Sequence, residues 1–182
     1  MALAARVEPW TLEQLHRLPD DGNKYELVRG ELFVTPPPGD EHETILATLH
    51  EILAPFVSAH RLGHVYRPKA VMRFEGSEVE PDLMVRAPHP DRRGEDSDWT
   101  RAQIPTLVVE VLSDATRRRD RNQKKALYLD AGVAEYWIVD GVERTITVVR
   151  RTGETVVNDR LTWSPDGAAS RLEFAVEQIF DA

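Results

Sequence analysis

Two acidic residues of this chain stand where carboxylates are costly. Asp82 lies within Val79-Glu80-Pro81-Asp82-Leu83-Met84-Val85, and Glu110 within Pro105-Thr106-Leu107-Val108-Val109-Glu110-Val111-Leu112-Ser113. Both runs are β-branched and apolar and read as strands. A carboxylate in a buried strand loses its hydration and needs a compensating partner. One divalent cation shared by both acids supplies it, with Mg2+ or Mn2+ as the natural choice for two carboxylates, a backbone carbonyl near Val111 and waters. Such an ion activates water near neutral pH and stabilises charge on a phosphate in transfer. For either acid alone, a strand-end cap or an arginine partner is the simpler account. Two such acids followed by a basic stretch favour the metal. Asp120, Lys124 and Tyr128 recur every four residues and so share one face of the helix that follows Glu110. From there the Lys124 ammonium can enter the site and orient the attacking water. The plainer alternative is an Asp-to-Lys pair on a solvated helix face. Lys69, just before Pro81-Asp82, is a second candidate lysine.

The elements that must position these residues follow from periodicity. Thr11 and Gln14 form a capping box ahead of a short helix with Leu12, Leu15 and Leu18 on one side. Residues 24–28 and 31–35 alternate around Arg29-Gly30, a hairpin. Residues 40–60 carry the clearest helical stripe, from Ile45 to Val57, with an N-terminal box from Asp40 and Glu43 and a kink expected at Pro55. Residues 65–74 and 79–85 read as two strands paired across Gly76 and Ser77. The polar, Pro-containing stretch 87–103 reads as a surface loop. Residues 107–112 are continuously apolar but for Glu110, which marks a central strand. A helix over 117–131 ends at Gly132. Strands over 135–140 and 144–150 turn at Gly141, residues 156–163 carry no decisive pattern, and residues 172–180 form a short helix. The order predicts a mixed sheet with helices on both faces, an α/β fold.

Composition limits the function. At 182 residues the chain makes a single domain, with a core over about 24–150 and a C-terminal extension over about 151–182. The absence of cysteine excludes disulfides, thiolate zinc sites and cysteine nucleophiles. No apolar run approaches the roughly 20 residues that span a bilayer, and the first residues lack the pattern of a secretory signal. The expectation is a cytoplasmic protein with no membrane partner. A net charge of −8 argues against coating nucleic acid non-specifically, but leaves room for a local basic groove. Arg117, Arg118 and Arg119 are the candidates for one, the alternative being a solvated charged helix face. Cations at a helix start oppose the helix dipole, and binding of substrate phosphate there would explain the cost.

Pro81-Asp82 and Glu110-Val111-Leu112 resemble the motif of the PD-(D/E)XK nucleases, except that Leu112 occupies the position usually held by lysine. The longer ordered series is more specific. It comprises Tyr25-Glu26-Leu27-Val28-Arg29-Gly30-Glu31-Leu32, His42, Pro81-Asp82, residues 105–113, Thr116, Asp120, Lys124, Tyr128 and Gly132-Val133-Ala134-Glu135-Tyr136-Trp137-Ile138-Val139-Asp140. From about Trp10 to Val149 it resembles the Uma-two family of restriction-endonuclease-like nucleases, in which the lysine is likewise missing two residues after the acid. The resemblance implies a restriction-endonuclease-like three-layer α/β/α core with a mixed central sheet, preceded by the N-terminal helix and hairpin. It also implies a divalent metal, DNA as substrate and a homodimer. It makes Asp82, Glu110 and Lys124 the catalytic set, and Asp82, Glu110, the Val111 carbonyl and Glu31 the metal shell. Glu31 is preferred to Glu26, taken to lie on the opposite hairpin face, because it matches the Gly-Glu-Leu element. His42, Asp120 and Tyr128 become auxiliary residues. The expected activity is metal-dependent hydrolysis of DNA phosphodiester bonds. The alternatives are an inactive binding module that keeps the nuclease fold and a hydrolase of a small phosphoester.

Overall fold

The computed structural model describes residues 8–87 and 103–181. The surface loop expected over 87–103 lies, apart from its ends, outside the described residues. Helix α1 (Leu12–Leu15) starts at the expected capping box. The Gln14 N–H donates to Thr11 Oγ1 at 3.2 Å, and the Thr11 N–H to Gln14 Oε1 at 2.9 Å. Strands β1 (Lys24–Val28) and β2 (Glu31–Thr35) pair with Val28 opposite Glu31. Their two-residue turn has positive φ at Arg29 (50°) and Gly30 (84°), the mirror-image geometry that matches strand twist.

Helix α2 (Asp40–Ala59) buries Ile45, Leu46, Leu49, Leu53 and Val57. Its N-cap is Gly39, without a side-chain cap bond. Asp40 and Glu43 therefore lie inside the first turn, where their charge complements the dipole, instead of forming a box. The helix runs through Pro55 to Ala59. The carbonyl deprived of a partner belongs to Glu51, an exposed residue.

The main sheet has six strands in the order β10-β9-β8-β7-β6-β3. These are β3 (His64–Tyr66), β6 (Leu83–Arg86), β7 (Leu107–Val111), β8 (Glu135–Asp140), β9 (Thr145–Arg150) and β10 (Gly153–Val157). Only β7 and β8 run parallel among these neighbours, and the helical segment 117–131 makes their crossover. A smaller antiparallel sheet, in the order β2-β1-β5-β4, adds β4 (Met72–Phe74) and β5 (Ser77–Val79). The hairpin expected from 65–74 and 79–85 is thus divided. Ser77 belongs to a strand, and the chain leaves the main sheet after Tyr66 and re-enters it at Leu83. Near the C-terminus, β11 (Arg160–Trp163) pairs with β12 (Leu172–Ala175), and a 3-10 turn follows over Val176–Ile179. The expected helix over 172–180 is therefore a strand plus a single turn. Leu172 and Phe174 reach the core with the period of a strand.

Strand alternation sorts the side chains into two apolar layers. Leu83, Val85, Leu107, Val109, Val111, Trp137 and Val139 face α2 and the C-terminal ribbon. Met84, Val108, Leu112, Tyr136 and Ile138 face the other way, against Leu127 and Tyr128 and against Val28, Met72 and Val79 of the small sheet. This second layer also contains the charged cluster.

The segment after β7 is one continuous helix with an internal irregularity. Helix α3 (Arg117–Arg119) widens into a π-turn (Asp120–Lys124) before helix α4 (Lys125–Ala131), which ends at Gly132 in the left-handed region, φ 89°. The Asp120 carbonyl in the wide turn accepts a bond from the Tyr136 hydroxyl at 3.1 Å. Turns of this kind commonly sit at functional sites, because they re-aim side chains within a helix.

Candidate active site

Leu83 of β6 stands opposite Val109 of β7. One further step in this antiparallel register sets Asp82 opposite Glu110, on one face of the sheet. Residues so paired hold their Cβ atoms about 4.5–5.5 Å apart. Both acids are buried, at 4% and 1% exposure. They line the base of a cavity of about 560 Å³. Its walls include the rigid Pro36-Pro37-Pro38 run, the Arg67-Pro68-Lys69 turn and His42.

Each acid is held by its own donors. Asp82 Oδ2 accepts from the Val111 N–H at 2.9 Å and stands 3.2 Å from His42 Nε2. Asp82 Oδ1 accepts from Lys24 Nζ at 3.1 Å. Burial alone would raise this carboxyl, but Lys24, His42 and Lys124 outweigh it and hold Asp82 well below the usual carboxylate range. Glu110 Oε1 accepts from Lys124 Nζ at 2.7 Å and from the Tyr128 hydroxyl at 2.5 Å. Its burial and the adjacent Asp82 charge outweigh the lysines and push Glu110 up to about 7. Burial would lower His42, yet its bond to Asp82 leaves it raised.

Behind these acids lies Glu26 of β1, fully buried. Its Oε1 is 2.7 Å from Lys124 Nζ and accepts from the Glu80 N–H at 2.9 Å, and its Oε2 is 3.3 Å from Arg119. Arg119 Nε donates to Asp120 Oδ1 at 3.3 Å and Nη1 to Thr35 Oγ1 at 2.9 Å. Lys124 is 0% exposed and bridges Glu26 and Glu110. Desolvation would lower it, but these acids keep it raised and charged.

Asp82, Glu110, Val111, His42, Asp120, Lys124, Tyr128 and Arg119 are thus gathered in one place. Three expected members are elsewhere. Glu31 lies outside the cluster and accepts a bond from Gln123 at 2.9 Å. The hairpin register explains this and corrects the expectation of opposite faces. Glu31 sits across from Val28, and Phe33 across from Glu26, so both glutamates share a face, but Glu31 is at the turn, a strand residue pair away. Arg117 is paired bidentately with Asp140, which Arg121 also reaches at 2.9 Å. Arg118 is exposed and does not line the cavity. Three consecutive helical residues point in three directions, so only Arg119 faces the cleft, and its charge is engaged by acids. Leu112 packs in the second apolar layer, on the Glu110 side. Lys69 stands exposed at the cavity wall.

Sequence reasoning missed Lys24 and set Glu26 aside. The available signal was parity: Lys24, Glu26 and Val28 alternate on the strand face that carries Val28 inward.

Among the described residues no group of three or more His, Cys, Asp or Glu side chains is arranged to hold a metal ion. The donors fit a different kind of site. Two carboxylates at one register position offer hard oxygens, and Glu110 keeps Oε2 clear of both its helix donors. Such a pair suits Mg2+ or Mn2+, which retain several waters, and not a caged ion.

No helix among the described residues is long and apolar enough to cross a membrane. A search of curated proteins returned no match. Among solved structures, the chain is similar to a protein from Anabaena variabilis ATCC 29413 described as a "putative nuclease belonging to DUF820". The TM-score is 0.78 and the identity 22%, over 94% of this chain and 98% of that one. At that identity the likeness shows a shared fold, in line with the expected restriction-endonuclease-like architecture. The family model named Uma2, described as "Putative restriction endonuclease", matches residues 12–177. With the match spanning nearly the whole chain, this protein belongs to the Uma2 family.

Proposed function

We propose that the protein is a metal-dependent nuclease that hydrolyses phosphodiester bonds of DNA, with Asp82 and Glu110 holding Mg2+ or Mn2+. The observation that carries this reading is the cross-strand register of the two buried acids at the base of an open cavity. When bound there, the ion would supply positive charge to the phosphate and lower the pKa of water. The chain's own groups do the rest. Before an ion binds, Lys24, His42 and the Val111 N–H keep Asp82 ionised and fixed. Lys124 and Tyr128 both bind Glu110 Oε1 and so orient Oε2. Lys124 is sealed beneath the acids, so it acts as a positioning residue and does not touch the water directly. The rim cations Arg67 and Lys69, exposed at the cavity wall, receive the phosphate backbone, although the Lys69 charge also acts on Glu80. The proline wall narrows the approach and limits water around the acids.

The experiment is nicking of supercoiled plasmid with Mg2+ or Mn2+, comparing the wild type with Asp82→Asn. Metal-dependent nicking by the wild type and its loss in a folded variant is the expected result. Nicking that survives EDTA or the substitution contradicts the proposal. A second reading, a non-catalytic module of the same fold, draws on the Lys24–Asp82 pair, which already satisfies the acid without an ion. It predicts DNA binding with no nicking under any metal.

A further inference from the structure

The two lysines of the cluster are not equivalent. Lys124 is locked, with no exposure and two carboxylate oxygens at 2.7 Å. Lys24 sits at the cavity edge with 19% of its side chain exposed. Its partners are Asp82 Oδ1 at 3.1 Å and the Glu80 carbonyl at 3.2 Å. It starts β1, directly after Gly22-Asn23, and all three residues line the cavity. Its four-carbon stem can therefore turn into open space without disturbing the core.

Asp82 offers an incoming cation little choice. Oδ2 already faces two groups, the Val111 N–H and His42. Oδ1 is held by Lys24 alone. The cluster sets four acids (Glu26, Asp82, Glu110, Asp120) against Lys24, Lys124 and Arg119, with His42 also standing on Asp82 and Glu110 drawn toward its neutral form, so it is close to charge balance. A divalent ion therefore brings an excess of positive charge if every lysine stays in place. Positive charges a few ångströms apart in a partly buried site repel strongly. Lys24, at the cavity edge and bound to a single carboxylate oxygen, is the lysine placed to leave.

We propose that Lys24 is an exchangeable internal cation. It occupies Asp82 Oδ1 in the metal-free protein, gives up that oxygen when a divalent ion binds, and turns into the cleft, where its charge is available to a substrate phosphate. Lys24 thereby sets the metal threshold of the site and keeps the carboxylate pair assembled between ions. The inference rests on the metal-dependent reading above.

Two measurements test it. Calorimetric titration of Mn2+ into the wild type and Lys24→Gln should give at least tenfold tighter binding in the variant, because the competitor is gone. Binding to the variant alone supports the proposal in the same way. Equal or weaker affinity in the variant overturns the exchange and leaves the metal-dependent reading intact. No binding to either protein overturns both. The second measurement needs no substitution: amine-labelling of the wild type, followed by mass spectrometry with and without Mn2+. Lys24 should label faster when Mn2+ is bound, and an unchanged or slower rate overturns the proposal.

Discussion

Lys124 shows why a side chain in the right place need not have the expected role. Its helical spacing with Asp120 and Tyr128 could be read from the sequence, and it does reach Glu110. Its complete burial could not, because that depends on the small sheet closing over it with Glu26. Removing it would leave two buried acids without their shared cation. Lys124→Met should lower stability by about 3–5 kcal/mol, measured by urea unfolding, and lost activity in that variant would first reflect lost structure. Glu110 gives a pH test. Its folded-state pKa near 7 lies above the ordinary 4.5. The folded protein therefore binds more protons than the unfolded chain between those values. That contribution is fully present below about pH 4.5 and is lost as pH rises through 7. Glu110→Gln cannot lose it. In metal-free buffer the variant should gain on the wild type from pH 5 to pH 8 by on the order of 3 kcal/mol. A difference that stays flat with pH would show that Glu110 is ionised throughout. His42, raised by Asp82, and Asp82 and Glu26, held low, are present in both proteins, so the difference reports the Glu110 carboxyl together with its coupling to Asp82.

Two elements carry more of the site than their sequences announce. The π-turn lets Arg119, Asp120 and Lys124 converge, while the Tyr136 hydroxyl bonds the Asp120 carbonyl. Nothing in the residue pattern marked it, since the four-residue spacing is equally a feature of a regular helix. Deleting the exposed Asn122 should restore regular winding and rotate Asp120 and Arg119 away from Lys124 by about 100°, one residue of a 3.6-residue turn. Far-UV circular dichroism should then keep its helical signal while stability falls; unchanged stability would mean that the wide turn positions nothing. The Arg67-Pro68-Lys69-Ala70 turn is the second such element. The Ala70 N–H bonds the Arg67 carbonyl at 3.2 Å, with Pro68 at the second position and Lys69 at φ 80° in the third. That is the type II pattern, whose third position favours glycine. The backbone strain at this turn therefore holds the Lys69 ammonium at the cavity wall. Lys69→Gly should raise stability by up to about 1 kcal/mol and weaken DNA binding; a variant that is no more stable, or binds equally well, would remove the reason for the strain.

The sheet, its central strand and the helix on each face followed from periodicity, because burial on both faces leaves a continuous apolar run at residues 107–112. Strand partners did not, because residues 65–85 alternate in the same way whichever sheet receives them. The same limit applies to charge. Three adjacent arginines read as one basic patch, yet Asp140, Glu26 and Asp120 engage two of them, and the third faces solvent. With Arg67 and Lys69 as the rim cations, the slope of log affinity for duplex DNA against log salt should be near −2. Arg117→Ala should leave that slope unchanged, and a flatter slope in the variant would return Arg117 to the interface. All of this presumes an ion between the two strands. Anomalous diffraction from crystals soaked in Mn2+ tests that presumption directly. The expected result is a peak bonded to one oxygen each of Asp82 and Glu110, absent in Asp82→Asn crystals. A saturating soak with no peak there, or a peak bound only elsewhere, would contradict it.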